Sequence, residues 1–294
     1  MVNTFFEKCT LCPRNCGVNR FVNTGVCGEK ATLKVARAAL HYYEEPPISG
    51  QNGSGTVFFS GCPLKCVFCQ NYSVSQENYG KEITPLRLAK IFSELEESGA
   101  HNINLVGGSQ FVPLIIRAME IYRPKTVIFN SSGYENVGTL RMLAPFVDVY
   151  LPDFKYYSEE LSAKYSKVRD YRRIAVDAIA EMLSQRPQNV YENGLLKSGV
   201  IIRHLVLPSH SDDSIDVFRT IKERFGTNTT VSVMSQYTPC AQSSLFPEID
   251  RRLRAVEYKK VLLFLQKAGF ENGFVQEGDA TGTSFTPVFD CTGV

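Results

Sequence analysis

Three cysteines at C-x3-C-x2-C spacing, Cys62, Cys66 and Cys69, punctuate the stretch Ser60-Gly61-Cys62-Pro63-Leu64-Lys65-Cys66-Val67-Phe68-Cys69-Gln70-Asn71. Thiolates select soft metals, iron–sulfur clusters and zinc above all. Gly61 and Pro63 are turn-prone and let the backbone wrap around such a centre. A closed structural zinc site takes four ligands, commonly from C-x2-4-C pairs. A cubane whose four irons meet only three thiolates keeps one iron open, and an open iron is reactive. The odd count therefore points to a reactive cluster. A zinc knuckle with a distant fourth ligand, or a set of buried thiols, would show the same spacing, so the surrounding chain has to decide.

A second cysteine group precedes the first. Cys9, Cys12, Cys16 and Cys27 stand at C-x2-C-x3-C-x10-C in a short segment rich in Gly, Asn and Pro. So small a piece has little apolar material of its own, and a metal would supply the missing folding energy. Four thiolates close a zinc shell, and four also satisfy an auxiliary iron–sulfur cluster. The compact spacing favours a structural metal, and both alternatives stand.

The rest of the chain has to position these thiols. At 294 residues and 44% hydrophobic content it can bury a full core, enough for one large α/β domain with a small appendage. The formal net charge of +2 and the lack of any long basic run argue against nucleic acid or an anionic membrane surface as partner. Met1-Val2-Asn3-Thr4-Phe5-Phe6-Glu7-Lys8 lacks the charged and apolar regions of a secretion signal. No stretch approaches the ~18 uncharged apolar residues of a membrane span. A cytoplasmic setting is expected, where nine cysteines are metal ligands or free thiols rather than disulfides.

Leu33 to His41 alternates like a strand and is stopped by Pro46 and Pro47; the Ser/Gly-rich joint from Ile48 to Gly55 is the expected boundary between a segment 1–50 and a domain 51–294. From there the pattern is strand, loop, helix, repeated. Strand-like runs fall at 56–59, 103–106, 126–130, 147–151, 200–207 and 231–235. Helical patterns fall at 85–98, 111–122, 136–144, 159–185, 213–225 and 248–268. Such alternation implies βαβ units and a parallel sheet. Six units predict an open, partial (β/α)6 barrel rather than the closed eight-unit form, with its chemistry at the carboxyl ends of the strands. The Cys62 loop follows the first of these strands at that end.

At C-x3-C-x2-C the chain resembles the radical S-adenosylmethionine (radical SAM) superfamily. The resemblance implies that Cys62, Cys66 and Cys69 hold a 4Fe–4S cluster whose open iron takes the amino and carboxylate groups of S-adenosylmethionine. It implies reductive cleavage to methionine and a 5′-deoxyadenosyl radical, with Phe68 near the adenine. Short motifs from about Thr56 to Ser235 are similar to the activating enzymes of glycyl radical enzymes, especially pyruvate formate-lyase activating enzyme. Leu11-Cys12-Pro13-Arg14-Asn15-Cys16-Gly17 also looks like a subgroup of such activating enzymes.

Gly107-Gly108-Ser109 stands where that family has Gly-Gly-Glu, which implies backbone approach to the methionine part of the cofactor; Ser109 replaces the acid, so capture of the amino group there is in doubt. Asn130-Ser131-Ser132-Gly133 resembles a segment bordering the methionine or ribose, though short polar residues also make ordinary turns. Asp153-Phe154-Lys155 resembles the family's Asp-Leu-Lys; residues two apart on a strand face the same side, so both can enter the mouth or pair on a solvated rim. Arg203 interrupts an apolar run, where an unpaired charge is costly, and resembles an arginine that meets the cofactor carboxylate. His204 then faces the helices; His41, His101 and His210 read as structural or solvated. Tyr237 and Cys240, just past the sixth strand, are candidates to face the substrate, a buried small residue being the plainer reading of Cys240. The tail from Glu277 to Thr283, and Cys291, form no recognisable constellation. The resemblance further implies an external low-potential donor, flavodoxin or ferredoxin, a glycyl radical enzyme as partner, and oxygen-labile clusters that call for anaerobic handling. Hydrogen-atom abstraction from a small molecule or peptide is the alternative.

Overall fold

The computed structural model describes residues 4–276 and 286–294; the tail motif at 277–283 lies outside them. Its sheet is built on four buried parallel strands: β2 (Ser54–Phe59), β4 (Ile103–Val106), β5 (Val127–Ser131) and β6 (Val149–Pro152). Every residue of β2, β5 and β6 is buried, as expected of continuous apolar runs covered on both faces. Beside β2, β1 (Leu33–His41) runs antiparallel, and β3 (Lys81–Ile83) runs antiparallel to β1. Residues 33–41 thus belong to the same sheet as the strand that follows the Ser/Gly-rich joint.

On the other side β6 pairs with β8 (Leu195–Val200), and β7 (Val190–Glu192) completes a hairpin with β8. The run expected as one strand at 200–207 is divided. Its first residue ends β8, and residues 202–205 form β9 (Ile202–Leu205), which pairs in parallel with β10 (Val231–Met234). A short β11 (Gly273–Val275) continues the parallel order beyond β10. The two sheets meet at one bridge, Asp153 to Arg203, where Phe154 N–H donates to Arg203 O at 2.8 Å. The array is open, with β1 and β3 at one margin and β11 at the other. The expected α/β architecture with an open, partly closed parallel barrel is what the chain adopts.

Helices cover the outer face. The helix Pro85–Glu97 starts on Thr84, whose side chain accepts from Arg87 N–H, and buries Leu88, Ala89, Ile91, Phe92 and Leu95 against the sheet. The single helix expected over 159–185 is two, Glu159–Ser166 and Tyr171–Gln185. Lys167 takes a left-handed conformation (φ 59°) and closes the first helix. The last helix begins at Ala255 rather than at residue 248. No helix among the described residues is long and apolar enough to cross a membrane.

Candidate active site

The carboxyl ends of β2, β4, β5, β6, β9 and β10 surround a cavity of about 290 Å³. The Cys62, Cys66 and Cys69 loop walls one side, held by backbone bonds to distant segments: Cys62 N–H to Cys27 O (3.2 Å) and Val67 N–H to Tyr165 O (2.9 Å). Two hydroxyls reach the sulfurs. Ser166 Oγ lies 2.9 Å from Cys66 Sγ and 2.7 Å from the Tyr156 hydroxyl, and Ser75 donates to Cys69 Sγ at 3.2 Å. Among the described residues no three His, Cys, Asp or Glu side chains converge as ligands of one ion. Three thiols with hydroxyl donors beside them, facing a cavity of mixed polar and apolar lining, fit a cluster with one open iron. Burial pushes the Cys62 and Cys66 thiols up to about 11, so loading a metal must displace their protons.

Phe68 lines the cavity and packs its ring against Tyr156, Tyr165 and Tyr237. Gly107, Asn130, Ser131, Asp153, Lys155 and Arg203 all line it too. Gly107 has φ +72°, a conformation that an L side chain rarely takes. Gly133 (φ +76°) lets the next strand end approach: a Cβ there would lie 2.0 Å from Asp153 O.

Asp153 accepts from Lys155 Nζ at 2.6 Å and from Arg203 Nε at 3.0 Å. Burial pushes its carboxyl up, but Lys155 and Arg203 together outweigh that and hold it below the usual range. Arg203 also donates to Glu44 Oε2 (3.1 Å) and Asn130 Oδ1 (2.6 Å). Glu44, which also accepts from Asn104 and Asn130, is pushed up by burial and has one cation partner rather than two. The guanidinium fork is thus already occupied by protein groups, and contact with a cofactor carboxylate requires one of them to let go.

Other expected residues lie elsewhere. Gly108 is turned toward Ile115 and Phe59. Ser109 is buried outside the cavity and donates to Glu135 Oε1 at 2.7 Å, as does Ser131. Tyr237 donates its hydroxyl to Ile249 O at 2.7 Å, and Cys240 donates to Phe68 O at 3.3 Å; neither lines the cavity. His204 faces the helix side, Nδ1 2.6 Å from Phe154 O and Nε2 2.9 Å from Ser214 Oγ. Glu44 on the cavity floor, and Ser166, Tyr156 and Ser75 behind the sulfurs, carry no signal in the sequence. Glu44 sits in a Glu-Glu-Pro-Pro run that reads as a solvated turn, and Ser166 lies 100 residues from the cysteine it touches.

A cysteine triad on the loop after the first parallel strand, opening on the cavity of a partial barrel, defines a radical SAM protein. The radical SAM superfamily model matches residues 56–223, and the chain belongs to that superfamily. It is 34% identical over 281 residues to the uncharacterized protein MJ0674 of Methanocaldococcus jannaschii, covering 91% of this chain and 77% of that one. Among solved structures it is similar to HydG, a maturase of the FeFe-hydrogenase, with TM-score 0.50 and 15% identity over 72% of this chain and 48% of that one. It is also similar to SuiB of Streptococcus suis, with TM-score 0.50 and 12% identity over 77% and 49%. The chain spans about half the length of these two structures, which share its fold.

As a radical SAM enzyme it uses a 4Fe–4S cluster to cleave S-adenosylmethionine. Cys62, Cys66 and Cys69 would hold the cluster. Bound there, it would supply one electron to the sulfonium. On the cavity wall Gly107 presents backbone without a side chain, and Lys155 a cation paired with Asp153. The Phe68 ring closes the apolar wall.

Proposed function

We propose that this enzyme abstracts a hydrogen atom from a glycine Cα in a partner glycyl radical enzyme, taking its electron from flavodoxin or ferredoxin. One observation supports a polypeptide substrate: among the described residues the strands form an open array, with β11, exposed or half-buried, at one margin and Thr286 and Pro287 of the tail at the cavity edge. An extended loop needs such a lateral entrance. The Gly107-Gly108, Asn130-Ser131-Ser132-Gly133 and Asp153-Phe154-Lys155 motifs support an activating enzyme in particular. The charged floor made by Glu44 and Arg203 favours a second reading, a small polar metabolite as substrate.

The test is anaerobic incubation of reduced enzyme and S-adenosylmethionine with candidate glycyl radical enzymes, followed by electron paramagnetic resonance. A glycyl doublet on the partner, stoichiometric with 5′-deoxyadenosine, is expected. A metabolite that alone raises deoxyadenosine formation, with no radical on any partner, would replace the activase reading by the second.

A further inference from the structure

The four N-terminal cysteines surround a buried charge. Cys9, Cys12 and Cys27 are buried and Cys16 is half-buried. Arg20, fully buried, lies among them. Its guanidinium donates to three backbone carbonyls, Glu29 O (3.1 Å), Gln110 O (2.5 Å) and Lys30 O (2.5 Å), and to Cys9 Sγ (3.9 Å). None of these hydrogen bonds goes to a carboxylate; the Glu29 carboxyl feels the charge without reaching it. The rings of Phe6 and Phe111 lie 5.1 and 5.6 Å from its central carbon. An isolated cation in such a place is expensive unless an anion sits beside it. A metal bound by four thiolates is such an anion, and an N–H donor on one of its sulfurs is how proteins tune such a centre.

One observation favours iron and sulfide over zinc. Gly25, facing the sulfurs, leaves room between them: a Cβ there would stand 3.2 Å from Cys27 Sγ and 3.7 Å from Cys16 Sγ. The position is also informative. Cys27 O accepts from both Cys62 N–H (3.2 Å) and Lys65 Nζ (3.3 Å), so the two cysteine groups are one hydrogen bond apart. Arg14 fastens the same segment to the catalytic loop through Pro63 O (2.8 Å).

We propose that Cys9, Cys12, Cys16 and Cys27 hold a second iron–sulfur cluster, with Arg20 as its buried counter-charge, directly behind the catalytic loop. The inference is independent of which substrate the enzyme takes. The test is the full-length triple variant Cys62→Ala, Cys66→Ala, Cys69→Ala, reconstituted anaerobically with iron and sulfide. About four irons and four acid-labile sulfides per chain should remain, with a cluster signal in Mössbauer spectra. Zinc without sulfide, or no metal on the folded variant, would overturn the proposal. If that variant does not fold, the count on the unaltered protein decides: about eight irons per chain supports two cubanes, and about four overturns the second. Loss of S-adenosylmethionine cleavage is expected in either case and belongs to the first site.

Discussion

Asp153 and Arg203 meet twice, through the backbone bridge that joins the two sheets and through a side-chain ion pair at 3.0 Å. Arg203 is shared with Glu44 at 3.1 Å, so one guanidinium neutralises two acids inside the cavity. Removing one partner of a buried pair leaves the other uncompensated. Arg203→Met should therefore cost about 3–5 kcal/mol in urea unfolding and weaken S-adenosylmethionine binding. Arg203→Lys should recover part of the stability, because it keeps the charge but not the fork. A loss below about 1 kcal/mol in Arg203→Met would mean that the pair behaves as a surface contact.

Replacing Cys62, Cys66 or Cys69 singly by Ala should abolish 5′-deoxyadenosine formation while leaving the circular dichroism spectrum intact. The sheet does not depend on the triad: β2, β4 and β5 are paired and buried without it. Retained cleavage by any of the three variants would remove that cysteine from the ligand set.

Ser166 Oγ, 2.9 Å from Cys66 Sγ, also touches the Tyr156 hydroxyl. Once Cys66 is a thiolate the sulfur can only accept, so Ser166 donates to it and Tyr156 donates to Ser166. Hydrogen bonds to cluster sulfurs favour the reduced, more negative state. Ser166→Ala should thus lower the reduction potential of the catalytic cluster, with Tyr156→Phe producing a smaller shift in the same direction. A redox titration followed by electron paramagnetic resonance reads this directly; an unmoved potential in Ser166→Ala would dismiss the role.

His204 is buried and neutral, burial lowering its pKa from 6.5 to about 4. Between these two values the unfolded chain takes a proton that the native state refuses, so stability falls as the pH is lowered through that window. From pH 7 to pH 5 this residue alone should cost about 2 kcal/mol. His204→Gln should flatten the slope, even if it is less stable throughout. An unchanged pH dependence in that variant would place the titration elsewhere.

The strands were legible because β2, β4, β5 and β6 are short, continuously apolar and followed by turn residues. The cysteine loop was legible because its ligands lie close together in the sequence. Two kinds of feature were not. The division at Ile201 has no local signal: the chain simply exchanges β6 for β10 as its neighbour, which is a tertiary event. Ser109 shows the converse, since its place after Gly107-Gly108 fits a cofactor contact while the turn carries its hydroxyl to Glu135. Glu44 was invisible for a related reason. Chemistry is sought where parallel strands end, and this acid arrives beneath the cavity on the continuation of the antiparallel β1.

That reversed strand separates the two ends of the chamber in the gene. The rim, with its cysteines, comes from loops that cannot change without losing the cluster, whereas the base is furnished by a short stretch after β1 that ligates nothing. Selection or an engineer can therefore vary the base at Glu44, keeping an acceptor there for Arg203, and redirect which molecules are welcome there without touching the cysteine loop.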